Sequence, residues 1–445
     1  MLLNKLSQLK VAVWGFGVEG RASCEYLKHR CPGLQLTVLC PNNEVVEEIN
    51  AGRHSELVFN HQHVDHNLLS QFDVVIKSPG ISPYQSAVES ATCEFVSSTA
   101  LWFSNERVNN PAQIIAITGT KGKSTSCAML TEVLKAMAYD VQLVGNFGVP
   151  LIQCTEPCDY LVLETSSYQA QDGVIKADIA VLLNLFSEHL DWHGSEQQYQ
   201  LDKWQLMMQA KQVILNAKDK NTQSLLIESP LQINSHMIKY FDNIHGFYEL
   251  DEVLMYQDKA LLSRYGWQLK GAHNLQNAAA VCAVLMALNL DIKPGLNAIK
   301  QFKALPHRLE TVAEINGVTY INDSISSTPH ATMAAMDTVD MSQTILLVGG
   351  HDRGVDWHWW IERIIDQAPK MIICSGQNGK NIHKLILNHK IKTQCIYKSS
   401  LEMAVAVAKQ QAQSGDVVLL SPGAPSFDAF ENYQHRGQQF IQWLN

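Results

Sequence analysis

The chain is predicted to be an α/β protein with mainly parallel sheets, divided into three domains at 1–110, 111–305 and 306–445. Three observations carry this. Short runs of buried-strand character alternate with helix-length segments along the whole chain, which implies right-handed βαβ units. Glycine-rich turns at Gly15–Gly20 and Gly119–Thr125 each follow such a run and open a helix. The length of 445 residues is room for about three domains of ordinary size, and Asn109-Asn-Pro111 is a turn-rich junction.

The first block reads as strands at Val11–Trp14, Leu36–Leu39 and Val74–Ile76, separated by helical segments. The middle block, to about Pro306, has strands at Ile114–Thr118, Tyr160–Leu163 and Ile179–Leu183. Its longest apolar run, Ala278–Leu288, is too short to cross a bilayer and reads as a buried helix. The third block has strands at Thr319–Ile321, Thr344–Val348, Met371–Cys374 and Val417–Leu420. Apolar content of 46% with 17% charged residues fits ordinary hydrophobic cores and argues against disorder. A formal charge of −9 without a long Lys/Arg run argues against a nucleic-acid surface. Ten cysteines without a CxxC pair, Cys154 and Cys158 being the nearest spacing, suggest reduced thiols in the cytoplasm. Lys10–Trp14 already reads as a strand, so no signal peptide and no membrane insertion are expected.

The most informative stretch is Ile114–Ala128. A buried strand ends at Thr118, the run Gly119-Thr-Lys-Gly-Lys-Ser-Thr125 turns, and a helix is predicted from about Ser126 to Ala136. Glycines let several backbone N–H groups and a helix N-terminus point at one anion. Lys123 adds a mobile positive charge, and Ser124 offers a hydroxyl suited to Mg²⁺. The loop is two residues shorter than the usual G-x-x-x-x-G-K-[ST] spacing, a compact relative of that motif. A nucleoside triphosphate is the expected ligand.

Gly15-Phe-Gly17-Val-Glu-Gly20 is by itself a dinucleotide fingerprint, which leaves an NAD-dependent oxidoreductase as an alternative class. That fingerprint expects an acid about 20 residues on for the ribose, whereas the second strand ends at Cys40-Pro-Asn-Asn and Glu44 arrives late. Another phosphate-bearing ligand can use the same helix N-terminus. Lys77-Ser-Pro-Gly-Ile81 closes a strand where open α/β sheets bind ligands, or is simply a structural turn.

Glu164 ends a strand downstream of the phosphate loop, where a carboxylate can share Mg²⁺ with Ser124 and phosphate oxygens. His189-Leu-Asp-Trp-His193 has metal-ligand spacing that a zinc hydrolase would use, but the phosphate loop argues against that class. His61, His63 and His66 fit a solvated loop better than a metal cluster. Lys203, in a helical stretch, would on composition alone be a surface lysine.

Taken together, Gly119–Thr125, Glu164-Thr-Ser-Ser167, Glu188-His189, Lys203, Gly271-Ala-His-Asn274, Leu305-Pro-His-Arg308, Asn322-Asp-Ser324 and Leu420-Ser-Pro422 resemble, in their order, the motifs of the Mur ligases. These cytosolic enzymes build the peptide stem of peptidoglycan. The resemblance covers essentially the whole chain. The N-terminal block and the Ser-Pro-Gly turn are similar to the ligases that add glutamate to UDP-N-acetylmuramoyl-L-alanine. A nucleotide-gated binding protein without catalysis stands as a distant third class, against which Lys203 and the metal candidates argue.

The resemblance implies a Rossmann-like UDP-binding N-terminal domain, a central P-loop ATPase domain and a Rossmann-like C-terminal lid. It implies ATP and Mg²⁺ as cofactors. Lys123, Lys203, His189 and Arg308 would be the catalytic groups. ATP would be held by Gly119, Thr120, Lys121, Gly122, Lys123, Ser124, Thr125, Asn274, Arg308 and Asp323. The UDP-substrate would meet Gly15, Phe16, Gly17, Gly20, Ser78, Gly80, Asn146 and Ser166. Metal would be bound by Ser124, Glu164, His189 and Lys203, the last as a carbamate. A monomer with small-molecule substrates is implied.

One departure bears on stereochemistry. The pattern for D-glutamate reads Asp-Ser-Lys-Ala-Thr-Asn, but here it is Asp323-Ser-Ile-Ser-Ser-Thr-Pro329, so Ile325 replaces a cation. Gly349–Trp357, Glu188–His193 and Ser421–Phe427 look like the branch that adds L-glutamate. That branch works with a separate epimerase. Arg353, Ser426 and Phe427 would then hold the incoming amino acid. L-glutamate is the favoured reading and D-glutamate the alternative.

Overall fold

In this computed structural model the described residues are 3–40, 55–186, 188–229, 233–265, 267, 269, 271, 273–352, 355–365, 367–389 and 391–444. Two expectations, Glu44 and Arg353, lie outside them. The chain packs as two compact units, one of residues 1–267 with 272–302, the other of 268–271 with 303–445.

The first unit contains two parallel sheets. The N-terminal sheet has Val11–Trp14 at its centre, flanked by Leu36–Leu39 and Val58–Asn60 on one side and by Val74–Lys77 and Glu94–Val96 on the other. All four pairings are parallel. The strand order therefore reverses at Val11–Trp14, and a crevice opens beyond its C-terminal end, where Gly15–Gly20 lies. The second sheet runs Ile238–Phe241, Gln212–Asn216, Ile179–Leu182, Gln113–Thr118, Tyr160–Glu164, Val141–Gly145, again all parallel. Its central strand is buried from Ile114 to Thr118, as an all-apolar run covered on both faces requires. One continuous core joins the sheets: Leu101 and Trp102 of helix Ser98–Asn105 pack with Leu151 and Ile152, and the Trp102 indole donates to the Cys154 carbonyl at 2.7 Å. The Asn109–Pro111 junction thus links two sheets inside one packed unit.

The second unit is a six-stranded sheet, Glu310–Ile315, Val318–Asn322, Val417–Leu420, Thr344–Val348, Met371–Cys374, Gln394–Tyr397. Helices Leu401–Gln411 and Tyr433–Leu444 cover one face, and Pro329–Met336, His358–Ile364 and Gly376–Asn388 the other. Arg436, buried in the C-terminal helix, donates to Ser324 Oγ (3.0 Å) and to the carbonyls of Ser324 (2.8 Å), Ala424 (3.0 Å) and Pro425 (3.1 Å). Burial lowers its pKa to about 10. Arg436→Met would strip these buried acceptors of their charged donor, the Pro425 carbonyl keeping the His351 amide, so the unit should lose about 3 kcal/mol, read as a lower midpoint in urea unfolding with unchanged slope.

Three features differ from the sequence expectation. The phosphate-loop helix starts at Lys123 rather than Ser126, because Gly122 takes φ +86° as its N-cap and brings Lys123, Ser124 and Thr125 into the first turn. Antiparallel pairing enters the otherwise parallel sheet of the second unit at its edge, where Glu310–Ile315 pairs with Val318–Asn322 through an Asn316-Gly317 turn with both residues at positive φ. A separate antiparallel sheet, Phe247–Leu250, Val253–Tyr256 and Lys259–Ser263, has Asp251 and Glu252 at positive φ in its first turn, with no glycine to announce it. All ten cysteines are free. Among the described residues no helix is long and apolar enough to cross a membrane.

Candidate active site

The phosphate loop sits between strand Gln113–Thr118 and helix Lys123–Ala136, and its shape is held from below. A Cβ on Gly122 would lie 2.5 Å from Asn277 Oδ1, on a backbone conformation that disfavours side chains, so this position requires glycine. Asn184 brackets the loop, accepting from the Lys121 amide (2.8 Å) and donating to its carbonyl (3.1 Å). Thr120 Oγ1 is 2.7 Å from Tyr199 Oη, and it accepts from the Phe186 amide at 2.9 Å. Lys123 Nζ folds back onto the carbonyls of Gly119 (2.8 Å) and Thr120 (3.0 Å). A bound phosphate competes for that ammonium at the helix N-terminus. Lys121 Nζ pairs with Glu188 Oε1 at 2.8 Å. Burial works against the Glu188 carboxylate, but Lys121 first, then His189 and Lys123, hold its pKa below the usual value.

Beneath the loop lies Lys203, not on the surface but 1% exposed. Helix Glu196–Met208 buries Tyr199, Asp202, Lys203, Leu206 and Met207, one stripe at helical spacing, and that stripe carries the lysine inward. Its Nζ donates to the Gly119 carbonyl (3.1 Å) and to Thr118 Oγ1 (3.4 Å). Burial drives its pKa well below the ordinary lysine value; Lys123 adds to the effect, while Glu188 and Glu164 oppose it. Glu164, 1% exposed at its strand end, accepts from Asn146 Nδ2 at 2.7 Å through Oε1. Its Oε2 is buried with no hydrogen-bond partner among the described residues. His189 takes φ +58°, and burial lowers its pKa, with Glu188 opposing and Lys203 and Lys123 assisting. The orphaned carboxylate oxygen suits a hard divalent cation completed by a hydroxyl and phosphate oxygens, with the neutral imidazole a lesser ligand beside it.

The His189–His193 spacing does not build a zinc site. His193 Nδ1 lies 2.5 Å from Asp202 and Nε2 3.0 Å from Ser167 Oγ, so both ring nitrogens are engaged by protein. Among the described residues no three His, Cys, Asp or Glu side chains converge as a metal cluster. His61, His63 and His66 are exposed.

At the N-terminal sheet, Gly15 takes φ +90°, and a Cβ there would sit 2.7 Å from Ser78 Oγ. The two turns expected to meet the substrate therefore touch each other. Phe16 is buried under the Arg21 guanidinium, 4.5 Å from its ring centroid. Gly17 caps helix Val18–Arg30 without a side-chain hydrogen bond at the cap, and Gly20 packs on the Gly15 carbonyl. Gly80 accepts from the Trp192 indole at 3.1 Å. Ser166 forms a capping box with Gln169 at helix Ser167–Ala170. Asn274, on helix His273–Ala287, accepts from Asn277 at 3.1 Å.

The second unit holds the remaining candidates. Asp323 is buried, accepts from Ser421 Oγ (2.8 Å), Ser326 Oγ and the Leu309 amide (3.2 Å), and burial raises its pKa to about 6 against those bonds. Arg308 stands between His307 and Leu309, both at positive φ. Ser426 is buried, whereas Phe427 is 69% exposed. Sequence reasoning missed Asn184, Tyr199 and Asn277 as groups that shape the loop. Asn184 follows strand Ile179–Leu182 at the ligand-binding edge of the sheet, a position that could have flagged it.

A phosphate loop at the head of a parallel sheet, backed by a buried amine, a carboxylate and a neutral imidazole, defines a nucleotide-using α/β enzyme of the phosphoryl-transfer kind. Comparison with known proteins narrows the class. Residues 117–285 match the Mur ligase middle domain and residues 307–423 the Mur ligase, glutamate ligase domain. The UDP-N-acetylmuramoyl-L-alanine--L-glutamate ligase of Xanthomonas euvesicatoria pv. vesicatoria (strain 85-10) is 38% identical, over 99% of this chain and 96% of its own. The UDP-N-acetylmuramate-alanine ligase of Thermotoga maritima shares the fold with a TM-score of 0.61 at 16% identity, covering 98% of both chains. A MurF ligase of Thermotoga maritima in complex with ADP gives 0.57 at 16% identity, over 92% of this chain and 94% of that one. The chain belongs to the Mur ligase family, and it is an ATP-dependent amide-bond-forming enzyme.

Proposed function

We propose that the protein joins L-glutamate to UDP-N-acetylmuramoyl-L-alanine at the expense of ATP, releasing ADP and phosphate, in peptidoglycan precursor synthesis. The observation that carries this is the buried Lys203 directly beneath a compact phosphate loop, in a chain whose 38%-identical relative is named for that reaction.

The terminal L-alanine carboxylate is a poor acyl donor, so it attacks the γ-phosphorus of ATP and ADP leaves. Lys123 and Arg308 neutralise charge on the transferring phosphoryl group, an electrostatic role. The glutamate amine then attacks the acyl-phosphate carbonyl carbon to form the C–N bond, the tetrahedral intermediate collapses, phosphate leaves with the electron pair of its single bond to that carbon, and the amine proton is lost. No protein nucleophile is required. Asn274 and Asp323 take the adenosine end of ATP, Gly119–Thr125 its phosphates. Gly15, Phe16, Gly17, Gly20, Ser78, Gly80, Asn146 and Ser166 take the UDP-substrate. Ser124, Glu164 and His189 would hold Mg²⁺, with Lys203 as a carbamate; bound there, the ion would neutralise phosphate charge. The orphaned Glu164 Oε2 and the neutral His189 support that set. Lys203 suits carbamylation because burial favours its neutral amine, which can attack CO₂, form an N–C bond and release a proton. The functional division is taken at 1–110, 111–305 and 306–445, the first two sharing one packed unit. The enzyme works in the cytoplasm as a monomer, and its product passes to an epimerase.

The choice of enantiomer rests on Ile325. With no lysine at that position, Arg353 and hydroxyl or backbone donors at Ser426 and Phe427 are left to hold the incoming carboxylates, a guanidinium being able to pair a carboxylate through two parallel hydrogen bonds. Losing one buried charge-assisted contact costs about 10- to 100-fold in specificity, so L-glutamate should be the better substrate by at least about that factor. Phosphate release is measured with ATP, UDP-N-acetylmuramoyl-L-alanine and each enantiomer in turn. Faster turnover with D-glutamate at equal concentration would refute the branch, and no release with either would refute the reaction. Ile325→Lys should damage L-glutamate use more than it creates D-glutamate use.

A further inference from the structure

Beside the proposed metal groups lies a buried polar chain that the chemistry above does not use. The His193 side chain joins Asp202 Oδ2 (2.5 Å) to Ser167 Oγ (3.0 Å). A carboxylate oxygen accepts from the Nδ1–H side of the ring, and the Ser167 hydroxyl, able to donate or accept, completes the other nitrogen. The other Asp202 oxygen accepts from Tyr84 Oη (2.7 Å) and Gln198 Nε2 (2.8 Å). Ser–His–Asp is the order of a nucleophile relay. Ser167, however, is 2% exposed, so its oxygen is not presented to a substrate. The chain holds rather than reacts.

What it holds is informative. Tyr84 belongs to the loop after strand Val74–Lys77, the loop that also carries Ser78 and Gly80. Asp202 is the immediate neighbour of Lys203 on helix Glu196–Met208. The short helix Leu190–His193 lies between, with His189 as its N-cap. Its Trp192 donates to the Gly80 carbonyl (3.1 Å), accepts from Ser82 Oγ at its own carbonyl (2.6 Å) and stacks on Tyr168 at 4.4 Å. We propose that Tyr84, Asp202, His193 and Ser167 form a positioning chain that locks the substrate-side loop Ser78–Tyr84 to the helix bearing Lys203, so that occupancy of the one sets the place of the other. This rests on the roles given above to Ser78, Gly80 and Lys203. Each bond in the chain involves a buried carboxylate or imidazole, where a lost partner is felt most strongly.

Tyr84→Phe tests it with little disturbance, since the ring can keep its edge-on contact with Trp192, 5.9 Å between centroids, and only the hydroxyl is lost. Steady-state kinetics with UDP-N-acetylmuramoyl-L-alanine varied, then with ATP varied, should show kcat/KM for the former down about 10-fold and KM for ATP within about two-fold of wild type. His193→Gln should give the same selective loss. The double variant should fall little below the worse single variant, because both break one chain. Tyr84→Phe constants within about two-fold of wild type would overturn the proposal, as would a drop in kcat alone that tracks the folded fraction, the mark of a merely structural role. If His193→Gln does not fold, Tyr84→Phe still decides. Wild-type enzyme that ligates nothing would instead sink the proposed function; wild-type ligation alongside an unaffected Tyr84→Phe would sink the positioning chain alone.

Discussion

Lys123→Ala should lower ATP-dependent ligation by about 10²- to 10³-fold while leaving the melting temperature near that of wild type. The asymmetry follows from what the side chain touches. Its Nζ donates to carbonyls of its own loop, Gly119 and Thr120, and the residue is half-buried rather than part of a core. Asn184, Tyr199 and Gly122 hold the loop without it. What is lost is a positive charge at the helix N-terminus, where charge develops as phosphoryl transfer proceeds. Single-turnover phosphate release and a thermal melt on the same preparation check both halves. Near-normal turnover would remove the phosphate-loop assignment.

The second large effect is expected at Lys203. Lys203→Ala should reduce turnover by about 10³-fold or more, and formate, acetate or propionate should restore part of it by supplying an anion in the vacated space. The rescue is the discriminating readout. A lysine acting as a cation would be rescued by small amines, whereas one acting as a carbamate is rescued by carboxylates. Burial of this amine, with Lys123 and Lys121 repelling its positive charge against the pull of Glu188 and Glu164, disfavours its charged form, which is the condition for reaction with CO₂. A variant that keeps most of its rate would leave Lys203 a structural residue.

Much of the fold and part of the candidate site were legible in the chain. Strands such as Thr344–Val348 and Val417–Leu420 read correctly to the residue because strands buried on both faces are continuous apolar runs. The turns at Gly15 and Gly122 were legible because a positive φ next to a close neighbour admits little but glycine. Asn316-Gly317 was a hairpin signal that alternation with helices obscured, and the Asp251-Glu252 turn carried no such signal. The helix start at Lys123 was set three residues late, since the loop's own chemistry masks where helical dihedrals begin.

The sequence by itself determined the class: parallel α/β units, a compact phosphate loop, and ordered motifs that a matching family shares. These are local patterns, each written in a few consecutive residues and governed by backbone geometry. Only the tertiary structure decided which polar groups lose water. It carried Lys203 inward on the stripe of Tyr199 and Leu206, left Glu164 Oε2 without a partner among the described residues, and closed both nitrogens of His193 on Ser167 and Asp202. Contacts of this kind join residues far apart along the chain as well as near ones, Ser167 with His193 across 26 positions and Tyr84 with Asp202 across 118. Desolvation and hydrogen-bond completion are properties of the packed neighbourhood, and spacing along the chain does not specify them.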